Sequence, residues 1–356
     1  MSSLERLGWG PFFERQRMAF DRPDARMARV VEEQRGLYRV AGELDGAAEV
    51  SGRFRHDARG AGDFPAVGDW VACTDAGDRA IIHARLDRKS TLSRAAAGTA
   101  IDEQVLAANV ETIFLVTAMD GDLSARRLER YLAMVWDAGA VPVVVLNKAD
   151  LNDDPVAVCE SIRVRLPLVD VVAVSALQTD GLDTLSPYLR PAHTIALLGS
   201  SGVGKSTIVN RLIGDDRQAV APTRESDDTG RHTTTSRHLF ELPGGALLID
   251  TPGMRELQLW ADDAAVAGAF DDITSLAAAC RFGDCAHAGE PGCAVAEAID
   301  AGRLDADRLA NYRRLVRETM FEERKHDKAA TAELKHRWKQ IHKAQRALYR
   351  DRNRLQ

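Results

Sequence analysis

Long apolar runs are missing from this chain of 356 residues. The longest, such as "VPVVVL" at 141–146, are far below the roughly 20 residues that cross a bilayer, so a membrane-spanning helix is not expected. A basic excess is missing too. The formal net charge is −6, so the chain is no polycation, and any nucleic-acid contact must come from local patches. The N-terminus "MSSLERLGWG" has no basic stretch followed by an apolar one. No export signal is read there, and a cytoplasmic protein is expected. Internal repeats and low-complexity tracts are absent. Cysteine is scarce: Cys73, Cys159, Cys280, Cys285 and Cys293, the last three within 14 residues. In a reducing compartment that clustering points to a metal rather than to disulfides.

What is present is the balance of a soluble globular protein, with 45% apolar and 28% charged residues. The length suggests two to three domains at roughly 150 residues each. Residues 1–33 form a lead segment, read as helical and charged through residue 30, with Trp9, Phe12 and Phe13 as anchors. From 34 to 95 the pattern becomes short alternating runs, "GLYRVAGEL", "AAEVSGRFR", "GDWVACT" and "AIIHARL", punctuated by Gly, Asp and Pro. This predicts a small antiparallel barrel or sandwich of about five strands. From 100 to 260, continuous β-branched runs alternate with helical segments. Such runs suit central strands of a parallel sheet covered on both faces, hence a doubly wound α/β domain. Residues 261–356 turn helical and alanine-rich around the cysteine segment, with one or two long helices over 303–354.

Gly199-Ser200-Ser201-Gly202-Val203-Gly204-Lys205-Ser206 matches G-x-x-x-x-G-K-[ST], with the strand "TIALL" before it and the helix of Thr207 and "IVNRLI" after it. Glycines let backbone N–H groups turn inward to cradle phosphates, aided by the helix N-terminus. Lys205 would reach the β/γ oxygens, and the Ser206 hydroxyl would ligate Mg²⁺.

The base is chosen elsewhere. Asn147-Lys148-Ala149-Asp150 sits where the strand "VPVVVL" ends, the place α/β sheets put ligand loops. Guanine presents N1–H and N2–H₂ side by side, and the Asp150 carboxylate can accept both. Adenine would leave that carboxylate unpaired, at a cost of about 1–3 kcal/mol or more for a charged group. Asn147 can tie this loop to the phosphate loop, and the Lys148 stem can pack along the base. Ser175-Ala176-Leu177, after "VDVVAV", offers backbone N–H to guanine O6.

Asp250-Thr251-Pro252-Gly253 follows "ALLI". Asp250 is placed to reach Mg²⁺ through water, and the Gly253 N–H to sense a γ-phosphate. One of Thr233, Thr234 or Thr235 in "TGRHTTTS" is the expected second Mg²⁺ hydroxyl, with Thr234 preferred. Met254 stands where many GTPases place a water-orienting glutamine, so intrinsic hydrolysis should be slow. His232 is the candidate to position the water. Cys280-x₄-Cys285-x-His287-x₅-Cys293 supplies three thiolates and one imidazole, a closed tetrahedral set expected to hold one structural Zn²⁺.

Ordinary small GTPases run phosphate loop, threonine, DxxG, base loop, backing loop. Here base loop and backing loop come first, so the order is rotated, which a sheet tolerates because a permutation only moves the termini. Through "GSSGVGKST", "GRHTTT", "DTPG", "NKAD" and the cysteine segment, the chain resembles the RsgA (YjeQ/YloQ) family of circularly permuted GTPases over about residues 34–350. The resemblance implies a multidomain α/β protein: an N-terminal OB-fold β-barrel, a circularly permuted P-loop GTPase domain and a C-terminal zinc-binding helical domain. It implies GTP and GDP as ligands and a role in late maturation of the small ribosomal subunit, which stimulates hydrolysis. No membrane partner is expected, and a monomer is. The DxxG turn lies within about 30 residues of the cysteine segment, which suggests that the nucleotide sets the pose of the C-terminal domain.

Two surfaces suit RNA. In 321–354, eleven Lys/Arg oppose five Asp/Glu. As a helix, that stretch sets Leu334, Trp338, Ile341 and Leu348 on one face and Lys339, Lys343, Arg346 and Arg350 roughly opposite. In the barrel, "SGRFRHDARG" read as a strand turns Phe54 inward and Arg53 and Arg55 outward. Three functions compete: a GTPase dependent on small-subunit RNA, a GTP-gated RNA-binding module with little catalysis, and a P-loop kinase or ATPase. Asp150 argues against the third.

Overall fold

Among the described residues, the β-branched runs become the middle of one continuous sheet of 11 strands. The computed structural model describes residues 1–34, 36–95, 103–120, 123–214, 237–250 and 269–317. The chain divides into two units, Met1–Ala96 with Asp102–Trp260, and Ala97–Ile101 with Ala261–Gln356.

In the first unit, strands β1 (Arg26–Gln34), β2 (Leu37–Gly42), β3 (Gly46–Val50), β4 (Trp70–Asp75) and β5 (Ala80–Arg85) form a barrel. It closes because β4 pairs with β1 as well as with β5, while β3 and β5 run parallel. Closure with that pairing is the OB-like arrangement, and it leaves no open edge within the barrel. Val30, Val40, Val71, Cys73 and Ile82 fill the interior, and each is fully buried.

Two local expectations change. The lead segment is not helical through residue 30. Helices α1 (Ser3–Arg6) and α2 (Pro11–Ala19) end early, and β1 begins at Arg26. Charged residues disguise that strand, and one of them, Arg29, faces away from the barrel interior that Ala28 and Val30 fill, yet is buried against the lead segment and Thr194. "SGRFRHD" is also no strand. It is helix α3 (Gly52–Asp57), because the Ser51 hydroxyl accepts the Phe54 N–H and caps it. Phe54 still packs on the barrel core, and Arg53 and Arg55 are exposed. Trp9 and Phe13 do anchor the lead segment. Trp9 stands edge-on to Trp70 with ring centroids 4.8 Å apart, and Phe13 is buried beside them.

The hairpin β6 (Thr91–Ala95) and β7 (Glu103–Ala108) follows the barrel. Then β8 (Thr112–Ala118), β9 (Val141–Asn147), β10 (Asp170–Ala173), β11 (Thr194–Leu198) and β13 (Leu247–Asp250) run parallel, with helix α4 (Ala125–Asp137) between β8 and β9 and α5 (Pro155–Arg165) between β9 and β10, and β12 (Arg237–Glu241) is antiparallel to β13. Apolar residues cover both faces. Leu115, Val144 and Leu198 belong to one core, and Phe114, Val145 and Leu197 to the other. From β8 the chain winds outward through β9 to β10, then returns to lay β11 on the opposite side of β8. Strand order reverses between β8 and β11, the crevice where doubly wound sheets bind ligands at their carboxyl ends. Backbone pairing of β1 with β12 (Glu32 opposite His238, Glu33 opposite Arg237) joins this layer to the barrel.

In the second unit, helix Asp271–Ala277, helix Ala294–Asp300 and helical residues 306–317 bury Phe270, Ile273, Val295 and Leu309. Arg308 binds both oxygens of Asp272, at 2.7 and 2.8 Å, and lies over the Phe270 ring. The basic stretch with Leu334, Trp338, Lys339, Ile341, Lys343, Arg346, Leu348 and Arg350 lies outside the described residues.

Candidate functional site

At the carboxyl end of β11 the chain turns through Gly199, Ser200, Ser201, Gly202, Val203 and Gly204 into helix α6 (Lys205–Ile213). Gly202 and Gly204 have φ of 82° and 96°, a region L side chains avoid. A Cβ at Gly199 would strike the Val116 carbonyl, and one at Gly204 the Asn147 amide. Only glycine lets this loop lie so close to β8 and β9. The Lys205 ammonium folds over the loop, donating to Gly199 O at 2.6 Å and to Ser200 O. Ser206 is exposed in the first turn, with Thr207 beside it.

Asn147, the last residue of β9, is buried and bonds in two directions. Its Nδ2 donates to Val203 O in the phosphate loop at 2.8 Å, and its Oδ1 accepts Ala176 N–H at 3.1 Å. One side chain thus ties together three segments that the sequence scatters. Lys148 adopts a left-handed conformation with φ of 62°, and its ammonium lies 3.2 Å from Asp120 Oδ2. Ala149 N–H donates to Val174 O at 3.1 Å, pinning the loop to the end of β10. Asp150 is exposed, and its carboxylate accepts the Ser175 hydroxyl. Ala176 is buried, whereas Leu177 is 80% exposed. Asp250 ends β13 on the same edge of the sheet, exposed. His232, Thr234 and Gly253, with Thr233 and Thr235, lie outside the described residues.

A second constellation stands in the other unit. One donor atom each from Cys280, Cys285, His287 and Cys293 lies within 4.8 Å of all the others. His287 Nδ1 is 3.5 Å from both Cys280 Sγ and Cys293 Sγ, and those sulfurs are 3.9 Å apart. Tetrahedral bonds of about 2.3 Å to sulfur and 2.0–2.1 Å to nitrogen require S···S near 3.8 Å and S···N near 3.6 Å. Cys280, His287 and Cys293 therefore have the spacing of a tetrahedral metal site, and the Cys285 donor lies within 4.8 Å of each of them. The ligand turn has its own support. Glu290 accepts N–H from Ala286 at 3.2 Å and Ala288 at 2.6 Å, on either side of His287, which holds φ of 58°.

Residues 85–260 match the family described as RsgA GTPase. The small ribosomal subunit biogenesis GTPase RsgA of Opitutus terrae is 46% identical over 359 residues, covering 97% of this chain and 97% of that protein. The protein of the same name from Methanosarcina acetivorans is 49% identical over 267 residues, covering 74% and 72%. The chain belongs to the RsgA GTPase family. Two crystal structures share the fold of this RsgA GTPase. YjeQ from Thermotoga maritima matches with a TM-score of 0.63 at 25% identity, over 83% of this chain and 99% of that one. YloQ, a circularly permuted GTPase, matches with 0.61 at 24%, over 85% and 97%.

The rotated order of elements is thus a family trait. The first-unit site also holds residues the motifs do not mention. Asp120 follows β8 at the carboxyl edge and fixes Lys148. Its signal was available, since an acid just past a continuous apolar strand in a doubly wound sheet faces the ligand crevice. Among the described residues no helix is long and apolar enough to cross a membrane.

Proposed function

We propose that this RsgA GTPase hydrolyses GTP to GDP and phosphate as a monomeric cytoplasmic switch in late maturation of the small (30S) ribosomal subunit, which stimulates it. The observation that carries the nucleotide reading is the Asn147 side chain, hydrogen-bonded at once to the phosphate loop and to Ala176. Gly199 to Thr207 cradle the phosphates, Asp150 accepts the guanine N–H pair, Lys148 flanks the base, and Ala176 N–H meets O6 between Ser175 and Leu177. Hydroxyl and carboxylate oxygens are the hard donors Mg²⁺ takes, so Ser206 and Thr234, with Asp250 through water, are the residues to hold it. The ion's charge offsets the charge developing on the phosphates. His232 orients the attacking water, and Gly253 reports the γ-phosphate. The Cys₃His set suits Zn²⁺, and four protein ligands leave no open position, so the ion is structural. The barrel and the C-terminal region contact rRNA.

Support for the ribosomal role comes from the relatives' names. The test is GTP turnover with and without purified small subunits. Stimulation by subunits in the wild type, lost in His232→Ala with GTP binding kept, is the expected result. Equal turnover with and without subunits favours a GTP-gated RNA-binding module instead.

A further inference from the structure

Arg211 belongs to none of the nucleotide motifs. It lies on α6, six residues beyond Lys205. Its Nη2 donates to Gln178 O at 3.0 Å and to Thr179 O at 2.6 Å. Both carbonyls belong to the loop 175–181 that leaves β10. That loop closes on itself: Ser175 N–H donates to Gly181 O, Gly181 N–H to Gln178 O and Gln178 N–H to Ser175 O, at 3.0, 3.2 and 3.1 Å. A Cβ at Gly181 would collide with the Ser175 carbonyl, so the closed turn requires glycine there.

The loop is therefore a small rigid body gripped at two places. Asn147 holds it at Ala176. Arg211 holds it at Gln178 and Thr179, from the helix that carries Lys205. Two carbonyl dipoles converging on one guanidinium make charge-assisted bonds of the stronger kind. The guanidinium is a planar fork whose position is set by the helix, so the bonds fix distance as well as supply energy.

We infer that Arg211 is a positioning residue for base recognition. It locks the helix behind the phosphate loop to the loop that presents Ala176 N–H. The inference rests on the guanine-site reading above. A site whose phosphate half and base half are held in register binds a nucleotide without ordering either half on arrival, and that saved ordering appears as affinity. Arg211 is exposed, and its hydrogen bonds go to the exposed Gln178 and Thr179. Its removal should loosen the loop without unfolding the sheet.

The experiment uses the full chain with Arg211→Ala and Arg211→Lys. Hydrogen exchange of residues 175–181 is compared with that of 194–213, and binding of GDP, ADP and inorganic pyrophosphate is measured by calorimetry. In Arg211→Ala, exchange should rise over 175–181 and stay unchanged over 194–213. GDP affinity should fall about tenfold, the scale of charge-assisted hydrogen bonds in a partly solvated place. Pyrophosphate, which engages the phosphate half alone, should change less than twofold, and Arg211→Lys should recover part of the GDP loss. GDP affinity within twofold of wild type overturns the inference. So does an equal loss for GDP and pyrophosphate, which means α6 itself was damaged. A wild type that binds GDP no better than ADP removes the guanine site before any variant is compared, and the inference goes with it.

Discussion

Arg29 Nη1 donates to Thr194 Oγ1 at 3.0 Å, linking the first barrel strand to the strand that ends in the phosphate loop. The same buried guanidinium donates to the carbonyls of Leu7, Gly68 and Asn109. Burial pushes its pKa down to about 10, against the pull of Glu111 and Asp69, so it is still charged at neutral pH. The lead segment, the barrel and the nucleotide-binding layer therefore meet on one side chain. Arg29→Met strips the donor from three main-chain acceptors in a dry place and should destabilise the first unit by roughly 3–5 kcal/mol. Thr194→Val removes one acceptor of several and should cost about 1 kcal/mol. Urea unfolding followed by tryptophan fluorescence measures both, and equal small effects would mean the guanidinium is not the joint described here.

Asp150 is the residue on which base choice depends. Asp150→Asn keeps size and shape but loses the negative acceptor for two guanine donors. GDP affinity should drop by at least tenfold, on the scale of about 1.5–3 kcal/mol for hydrogen bonds to a charged group. ADP and pyrophosphate affinities should hardly move, because the phosphate loop is untouched. A uniform loss across all three ligands in calorimetry would show that the substitution had disturbed the loop through its Ser175 partner.

Much of this is legible in the sequence, for physical reasons that differ between elements. β8, β9, β11 and β13 announce themselves because strands covered on both faces must be apolar throughout. The phosphate loop is legible because only glycine fits beside Val116 and Asn147. The bridging role of Asn147 follows from a buried amide at a strand end with nothing local to bond. The barrel was harder. β1 reads "RMARVVEEQ", where Arg29 lies on the face away from the barrel interior, and nothing in the pattern says that the lead segment and β11 bury that face too. Arg53-Phe54-Arg55 alternates like a strand, yet one Ser51 cap bond makes it helical. The joint between β1 and β12 is made by backbone groups, which carry no sequence signature. Arg211 was invisible because its partners are carbonyls, which every residue has.

The cysteine cluster predicts a metal that can be counted. Purified protein should contain one zinc per chain by elemental analysis. Cys293→Ser should lose it, and with it the ordered packing of the second unit. A serine hydroxyl can still accept the Ala296 N–H that Cys293 Sγ accepts at 3.4 Å at the start of the helix Ala294–Asp300, so the loss reports the metal and not the helix cap. Exchange protection over 271–300 should vanish while that of β8, β9 and β11 persists. Full zinc content in the variant would mean that three ligands suffice and that the closed set is misassigned.

Alkaline pH gives a separate probe, inside the barrel. Cys73 is fully buried, and burial pushes its thiol from 9.0 to about 12. Below pH 9 the thiol is protonated in both folded and unfolded chains and stability does not depend on it. Above pH 9 the unfolded chain releases this proton while the folded barrel retains it, so stability declines until about pH 12, by about 1.4 kcal/mol per pH unit. Tyr38, likewise pushed up to about 12 by burial first and by Glu33 and Asp69 next, adds a decline of the same sign that starts from its ordinary value of 10.0. Cys73→Ala keeps the tyrosine and removes the thiol. The cavity it leaves lowers stability equally at every pH, so the difference between wild type and variant isolates Cys73. That difference should be flat from pH 7 to about 9 and shrink above it. A difference that stays constant to pH 11 would mean the Cys73 thiol titrates alike in both states and is not held in a dry interior.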